Sequence, residues 1–209
     1  MPTTATPAEI RDDFDAMAPL MPDRLGPHEA WLLAQLPRGR GAALDIGCGA
    51  GTVTRRLAQS FDDVTAIDVS PAMIAEAKRR APSIAFACAD LFDWLRDHAN
   101  AYDCIVTIST LHHVDLADAL PAIARSLRPG GRLLALDVMH RRNLLLDAVA
   151  FALGFRFTSW KLRTAFRRHG RNETYLTIDE ARCVARRELP GAKVDAHLMW
   201  RYSVVWDKP

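Results

Sequence analysis

The residues best suited to chemistry lie close together in the stretch LDIGCGAGTVTRRLA, residues 44 to 58. Ala43 to Ile46 predict a short buried strand, and Val53, Leu57 and Ala58 from Thr52 onward follow helical spacing. Between them Gly47, Cys48, Gly49, Ala50 and Gly51 make a glycine-rich turn. Such a turn lets backbone approach a ligand closely, and the helix start beyond it presents unpaired N–H groups. A second strand, Val64 to Val69, carries Asp68 at its end. A carboxylate about 20 residues beyond the first glycine can accept hydrogen bonds from ribose hydroxyls. The glycines run G-x-G-x-G, and Thr52 stands where a dinucleotide fingerprint has its third glycine. The pattern therefore predicts a ribose-bearing ligand that need not contain a pyrophosphate. The competing reading is a tight strand-to-helix turn that binds nothing.

Further stretches follow in order: AIDVSPAMIAEAKRRA at 66 to 81, CADLF at 88 to 92, YDCIVTISTLHHV at 102 to 114 and LRPGGRLLALDV at 127 to 138. With LDIGCGAG, they resemble the class I S-adenosylmethionine (SAM)-dependent methyltransferases, most closely the small-molecule branch of ubiquinone and menaquinone biosynthesis. The resemblance covers about residues 40 to 138. It implies a Rossmann-like α/β fold: a seven-stranded, mostly parallel sheet with helices on both faces, its last two strands an antiparallel pair. It also implies cofactor roles. Gly47, Cys48 and Gly49 would pass under the methionine part of SAM, with Asp45 helping from beneath. Asp68 would hold the ribose. Val69 and Met73 would flank the adenine, Asp90 would accept from its amino group, and the Leu91 backbone N–H would donate to a ring nitrogen.

Methyl transfer from a sulfonium needs a nucleophile held in line and water excluded, and it needs no metal. A base helps if the nucleophile carries a proton. His112 and His113 follow the fourth strand, and Asp137 ends the neighbouring fifth, where a carboxylate can orient an imidazole. Alternation along an extended strand would turn only one of the two histidines to the site, with His112 slightly preferred. Either ring could instead only shape the pocket. Phe14, Met17 and His28 on the N-terminal helices, and His140, Phe151 and Trp160 after the fifth strand, are candidates for touching the acceptor.

The elements that must position these residues alternate between strand and helix. Helices are expected over Ala8–Met17, His28–Leu36, Ala72–Arg80 with Ser70 as N-cap and Pro71 at N1, a helix opening at Leu91, and Asp115–Leu127. Strands are expected over Ile84–Ala89, Tyr102–Ser109 and Arg132–Val138, with Arg128 to Gly131 a turn. This alternation implies a parallel sheet with right-handed crossovers. Residues 143 to 153, NLLLDAVAFAL, are apolar almost all round, and 156 to 171 mix seven basic side chains, counting His169, with Phe157, Trp160 and Phe166. Residues 140 to 176 are expected to form a helical lid. Phe151, Phe155, Phe157 and Trp160 would supply its apolar wall, and Arg163, Arg167 and Arg168 would meet an anion; a basic solvated helix is the plainer alternative. Thr177 and Glu180 predict a capping box, and Lys193–Trp200 and Tyr202–Asp207 two strands with only Arg201 between them.

The whole chain, 209 residues with 49% hydrophobic and 25% charged content, suits one soluble domain. Within it, 1–38 would be N-terminal helices, 39–138 the cofactor core, 139–178 the variable lid, and 179–209 a terminal helix and strand pair. A net charge of +2 is too small to imply nucleic-acid binding by itself, and no Asn/Asp-Pro-Pro-Tyr motif follows the fourth strand. Cys48, Cys88, Cys104 and Cys183 form no C-x-x-C pair, so reduced thiols in a cytoplasmic protein are expected. No signal peptide and no membrane span are read. The expected activity is methyl transfer from SAM to a small organic acceptor, such as an aromatic, polyketide-like or quinone-precursor metabolite, by a monomer or homodimer. The rivals are an NAD(P)-dependent oxidoreductase, which would want the third glycine, and a SAM-binding protein without catalysis.

Overall fold

The computed structural model describes residues 7–38, 41–140 and 175–209. Seven strands form one sheet: β1 Ala42–Ile46, β2 Asp63–Asp68, β3 Ala85–Cys88, β4 Tyr102–Ile108, β5 Leu127–Val138, β6 Lys193–His197 and β7 Arg201–Asp207. Their order is β3-β2-β1-β4-β5-β7-β6. The first five pair in parallel, and β7 pairs antiparallel with both β5 and β6. The chain thus moves outward from β1 to β3 and then returns to β4 on the other side of β1. Ligands of open α/β sheets bind beyond the strand C-termini at such a reversal.

Seven helices among the described residues cover the sheet: α1 Pro7–Met17, α2 Pro27–Leu33, α3 Thr52–Leu57, α4 Pro71–Arg80, α5 Leu91–Arg96, α6 Leu116–Ser126 and α7 Ile178–Glu188. Their starts are written locally. Ser70 Oγ accepts from Met73 N and Pro71 follows it. Asp90 accepts from Phe92 N and Asp93 N at the start of α5, and Asp115 from Ala117 N at the start of α6. Thr177 and Glu180 complete the expected capping box on α7.

The strands bury both faces. On one, Leu133, Ala135, Tyr202, Val204 and Trp206 pack with Leu120 and Ile123 of α6 and Ala181 and Ala185 of α7. On the other, Ala43, Cys104, Val106, Leu134 and Leu136 pack with Leu32, Leu33 and Leu57. β4 is apolar nearly throughout because it is covered on both sides.

Three expectations are corrected. The second helix ends at Leu33, not Leu36, although Gln35 N and Leu36 N still donate back to Leu32 O and Leu33 O in a closing turn. Arg128 to Gly131 is not a turn ahead of the fifth strand but an excursion within it: Leu127 already pairs with Tyr102, and the regular register resumes at Arg132 opposite Cys104. The last two strands are separated by Leu198–Trp200, not by Arg201, which opens β7. Met199 (φ 60°) and Trp200 (φ 56°) both take the left-handed conformation there. Neither is a glycine or asparagine, so the sequence carries no turn signal.

Candidate functional site

The glycine turn bridges β1 to α3 and is tied to the end of β2. Gly47 N and Cys48 N both donate to Ile67 O, at 2.9 and 3.0 Å. Gly49 N donates to Asp68 Oδ2 at 2.9 Å, and Ser70 N to Asp68 Oδ1 at 2.9 Å. Asp68 therefore holds two backbone segments and keeps a second lone pair on each oxygen. At Gly47 (φ +69°) a Cβ would lie 2.0 Å from Thr110 Oγ1, so only glycine fits between this turn and the segment after β4. At Gly49 (φ +51°) a Cβ would meet nothing closer than Met21 Cε and Met73 Sδ at 4.0 Å, so the turn faces open space there.

Burial acts on the acids beneath. Asp45 is buried, its Oδ2 accepting from Thr54 Oγ1 at 2.6 Å. Burial, with the charge of Asp68 adding, raises its pKa to about 7 against the pull of the Thr54 bond. Burial also raises Asp68, the bonds from Ser70 N and Gly49 N pull it back, and Asp15 of α1 pushes it further. The Asp15 carboxylate accepts from Ser70 Oγ and from Ala72 N (3.2 Å), which fastens α1 onto the start of α4. Cys48 is buried and its thiol is pushed well above its usual range, first by that burial.

Of the residues expected around an adenine, Val69 is 38% exposed, whereas Met73 and Leu91 are buried. Met73 packs with Met17, Ala18 and Ala50. Asp90 uses Oδ1 to cap α5 and lies exposed, leaving Oδ2 for other partners.

Across the switch point, Leu111–His113 forms a 3-10 turn, not an extension of β4. The strand-alternation argument for choosing between the histidines therefore does not apply. His112 Nδ1 lies 2.5 Å from Asp137 Oδ1, and the His112 backbone N donates to Asp137 Oδ2 at 3.0 Å. Burial alone would raise Asp137, but the His112 charge and hydrogen bond, the Val138 N–H and the charge of Arg201 outweigh it and hold the carboxyl below its usual value. An ionised Asp137 keeps the proton on Nδ1, which makes Nε2 the basic nitrogen of His112. The His113 ring stands 4.0 Å from that of His112 and meets Phe14 of α1 edge-on at 5.4 Å; Tyr175 lies 5.5 Å from His112.

The structure thus brings Asp45, Gly47, Cys48, Gly49 and Asp68 together, and His112, His113, Asp137 and Phe14 together. Met17 is buried against Met73. His28 sits elsewhere, beside His197, at 6.0 Å. His140 is exposed, its N–H donating to Leu176 O. Phe151, Trp160 and the lid segment 141–174 lie outside the described residues. Sequence reasoning passed over Asp15, Tyr175 and Arg201. Asp15 stands two residues before Met17 with no local signal of its partner, and all three gain meaning from chain folding alone.

Comparison with known proteins shows the family and the fold. A family described as a methyltransferase domain matches residues 43–131. An uncharacterized methyltransferase of Mycobacterium tuberculosis is 31% identical over 197 residues, covering 87% of this chain and 94% of the relative. The trans-aconitate 2-methyltransferase of Methylobacterium radiotolerans is 40% identical over 106 residues, covering 49% of this chain but 40% of that protein. Among solved structures, the DhpI–SAH complex superposes with a TM-score of 0.68 at 23% identity, covering 98% of this chain and all of the other (100%).

Proposed function

The chain belongs to the SAM-dependent methyltransferases, and from that membership we propose that it methylates a small organic acceptor by in-line displacement, with His112 as general base. The observation that carries the base assignment is the doubly bonded His112–Asp137 pair at the ends of β4 and β5.

The residues present fit SAM. The turn at Gly49 is open where a side chain would otherwise stand, Gly47 admits no Cβ, and Asp68 has acceptor capacity for a ribose diol. When bound, SAM supplies a sulfonium-activated methyl group. Asp68 would accept from the ribose hydroxyls while keeping the turn closed. Asp90 would accept from the adenine amino group with the oxygen that does not cap α5, the Leu91 N–H would donate to the ring, and Val69 would cover it. Asp45 would act from beneath the turn. His112 Nε2 would take the acceptor proton, and Asp137 would hold the ring in that tautomer and stabilise the imidazolium. His113 and Phe14 would wall the acceptor side.

The test is turnover with SAM affinity measured in parallel. His112→Gln is expected to lose about 10²-fold or more in kcat at unchanged SAM affinity. Full turnover in that variant would leave positioning alone to carry the reaction and sink the base assignment.

A further inference from the structure

We propose that Arg201, His28 and His197 form an anion subsite that receives a carboxylate or phosphate group of the acceptor. This rests on the reading of the strand ends as an acceptor site. Arg201 opens β7, opposite Val138 of β5 and His197 of β6. Its Nη1 donates to Ser109 Oγ. Ser109 follows β4 in a left-handed conformation (φ 56°), with its N–H on Leu136 O at 2.8 Å. The guanidinium is therefore pinned to the end of β4, three residues before His112. His197 is fixed by Ser203 Oγ at 2.8 Å from Nε2 and lies against Trp31 of α2, ring centroids 4.5 Å apart. His28, at the start of the same helix, closes the group.

Three basic side chains thus converge on one end of the sheet without a carboxylate bonded to any of them among the described residues. Arg201 is permanently charged, and its bond to Ser109 uses one nitrogen of a planar fork that suits a two-oxygen anion. Asp137, whose carboxylate feels Arg201, is already committed to His112. Glu29 of α2 and Asp195 of β6 act on the histidines only at a distance, and their pull does not prevail. Burial first, then Arg201, lowers His28, and burial first, then His28, lowers His197. An arriving anion would favour the protonated rings, which burial and then the neighbouring bases oppose, and Trp31, 42% exposed, offers a flat apolar face to the carbon skeleton behind it.

The experiment follows the imidazole resonances of His28 and His197 by NMR in the SAH-loaded protein. Succinate, inorganic phosphate and, at matched ionic strength, sodium chloride are titrated in turn. Saturable shifts of both rings with succinate or phosphate, absent with chloride, are expected, and Arg201→Gln should weaken them at least tenfold. A response confined to succinate identifies a carboxylate acceptor, and one confined to phosphate a phosphorylated acceptor. No saturable shift beyond chloride, or an undiminished one in Arg201→Gln, overturns the subsite. His28→Gln, which leaves the Arg201–Ser109 bond in place, is expected to weaken the His197 response as well, and an undiminished response would overturn the part given to His28. SAH calorimetry on the same samples separates the two ideas: absent SAH binding removes the methyltransferase reading, whereas intact SAH binding without an anion response removes only the subsite.

Discussion

Asp68 closes the glycine turn through Gly49 and Ser70, and in the proposed function the same carboxylate also holds a ribose. Asp68→Ala is expected to weaken SAH binding by about 1–3 kcal/mol, the usual cost of deleting a charged hydrogen-bond partner; calorimetry checks it, with circular dichroism showing the fold intact. Asp45 makes a pH-dependent prediction. Its folded pKa of about 7 lies above the ordinary aspartate value of 3.8, so the folded state binds more protons between those values. Stability should therefore fall as pH rises through that window, by up to about 1.4 kcal/mol per pH unit. Asp45→Asn keeps an acceptor for Thr54 and should flatten the trend in urea midpoints of the free protein between pH 5 and 7.5. Asp137 behaves oppositely: its lowered pKa gives stability present above the usual carboxylate value and lost as pH falls through the folded one. Contacts of this kind were legible in sequence where partners lie close along the chain, as in Ser70 with Met73. They were illegible where partners are distant: Arg201 and Ser109 are 92 residues apart, and Asp15 and Ser70 are 55.

Among the elements, α1 packs over the start of α4. Its Asp15 grips the start of α4, Met17 is buried with Met73, and Phe14 reaches His113. Met17→Ala should cost about 2–5 kcal/mol in chemical denaturation, as other Met-to-Ala changes in cores do. Amides of α1 should exchange more slowly when SAH binds, and Asp15→Ala should remove much of that difference. The amphipathic pattern Ile10, Phe14, Met17 revealed the helix but not its seat, because a single apolar stripe does not say which surface will cover it. The strand pair after α7 was legible as a pair, yet its turn was displaced, because Met199 and Trp200 adopt positive φ with no glycine to announce it. The LHHV stretch reads as strand continuation by composition, but the polypeptide tightens there into a 3-10 turn so that Asp137 can hold both the His112 backbone and ring.

For the whole molecule, SAM and SAH binding should appear as stabilisation. At a ligand concentration 100 times Kd the gain is about 2.7 kcal/mol, and for a domain of this size that raises Tm by roughly 5–11 °C. A thermal scan with SAH, and with NADH as the contrasting ligand, checks it; a shift with NADH alone would contradict the cofactor assignment. The overall sheet was legible because buried parallel strands are nearly continuous apolar runs separated by capped helices. The resemblance, more than any local signal, supplied the count of strands and the final antiparallel pair, whereas the order in which the strands lie came from the folded chain alone.

That order has a consequence for how the protein is made. β7 leaves the ribosome after every other strand, yet it lies between β5 and β6 and bonds to both. At usual translation speeds of about 5–20 residues per second, the backbone of β5 waits roughly 3–13 s after Val138 is made before Arg201 follows. During that interval Leu133 to Leu136 present a hydrophobic margin without a strand on their β7 side. Nascent chains halted between α7 and β7 should therefore be the species that chaperones hold and that aggregates if they are scarce.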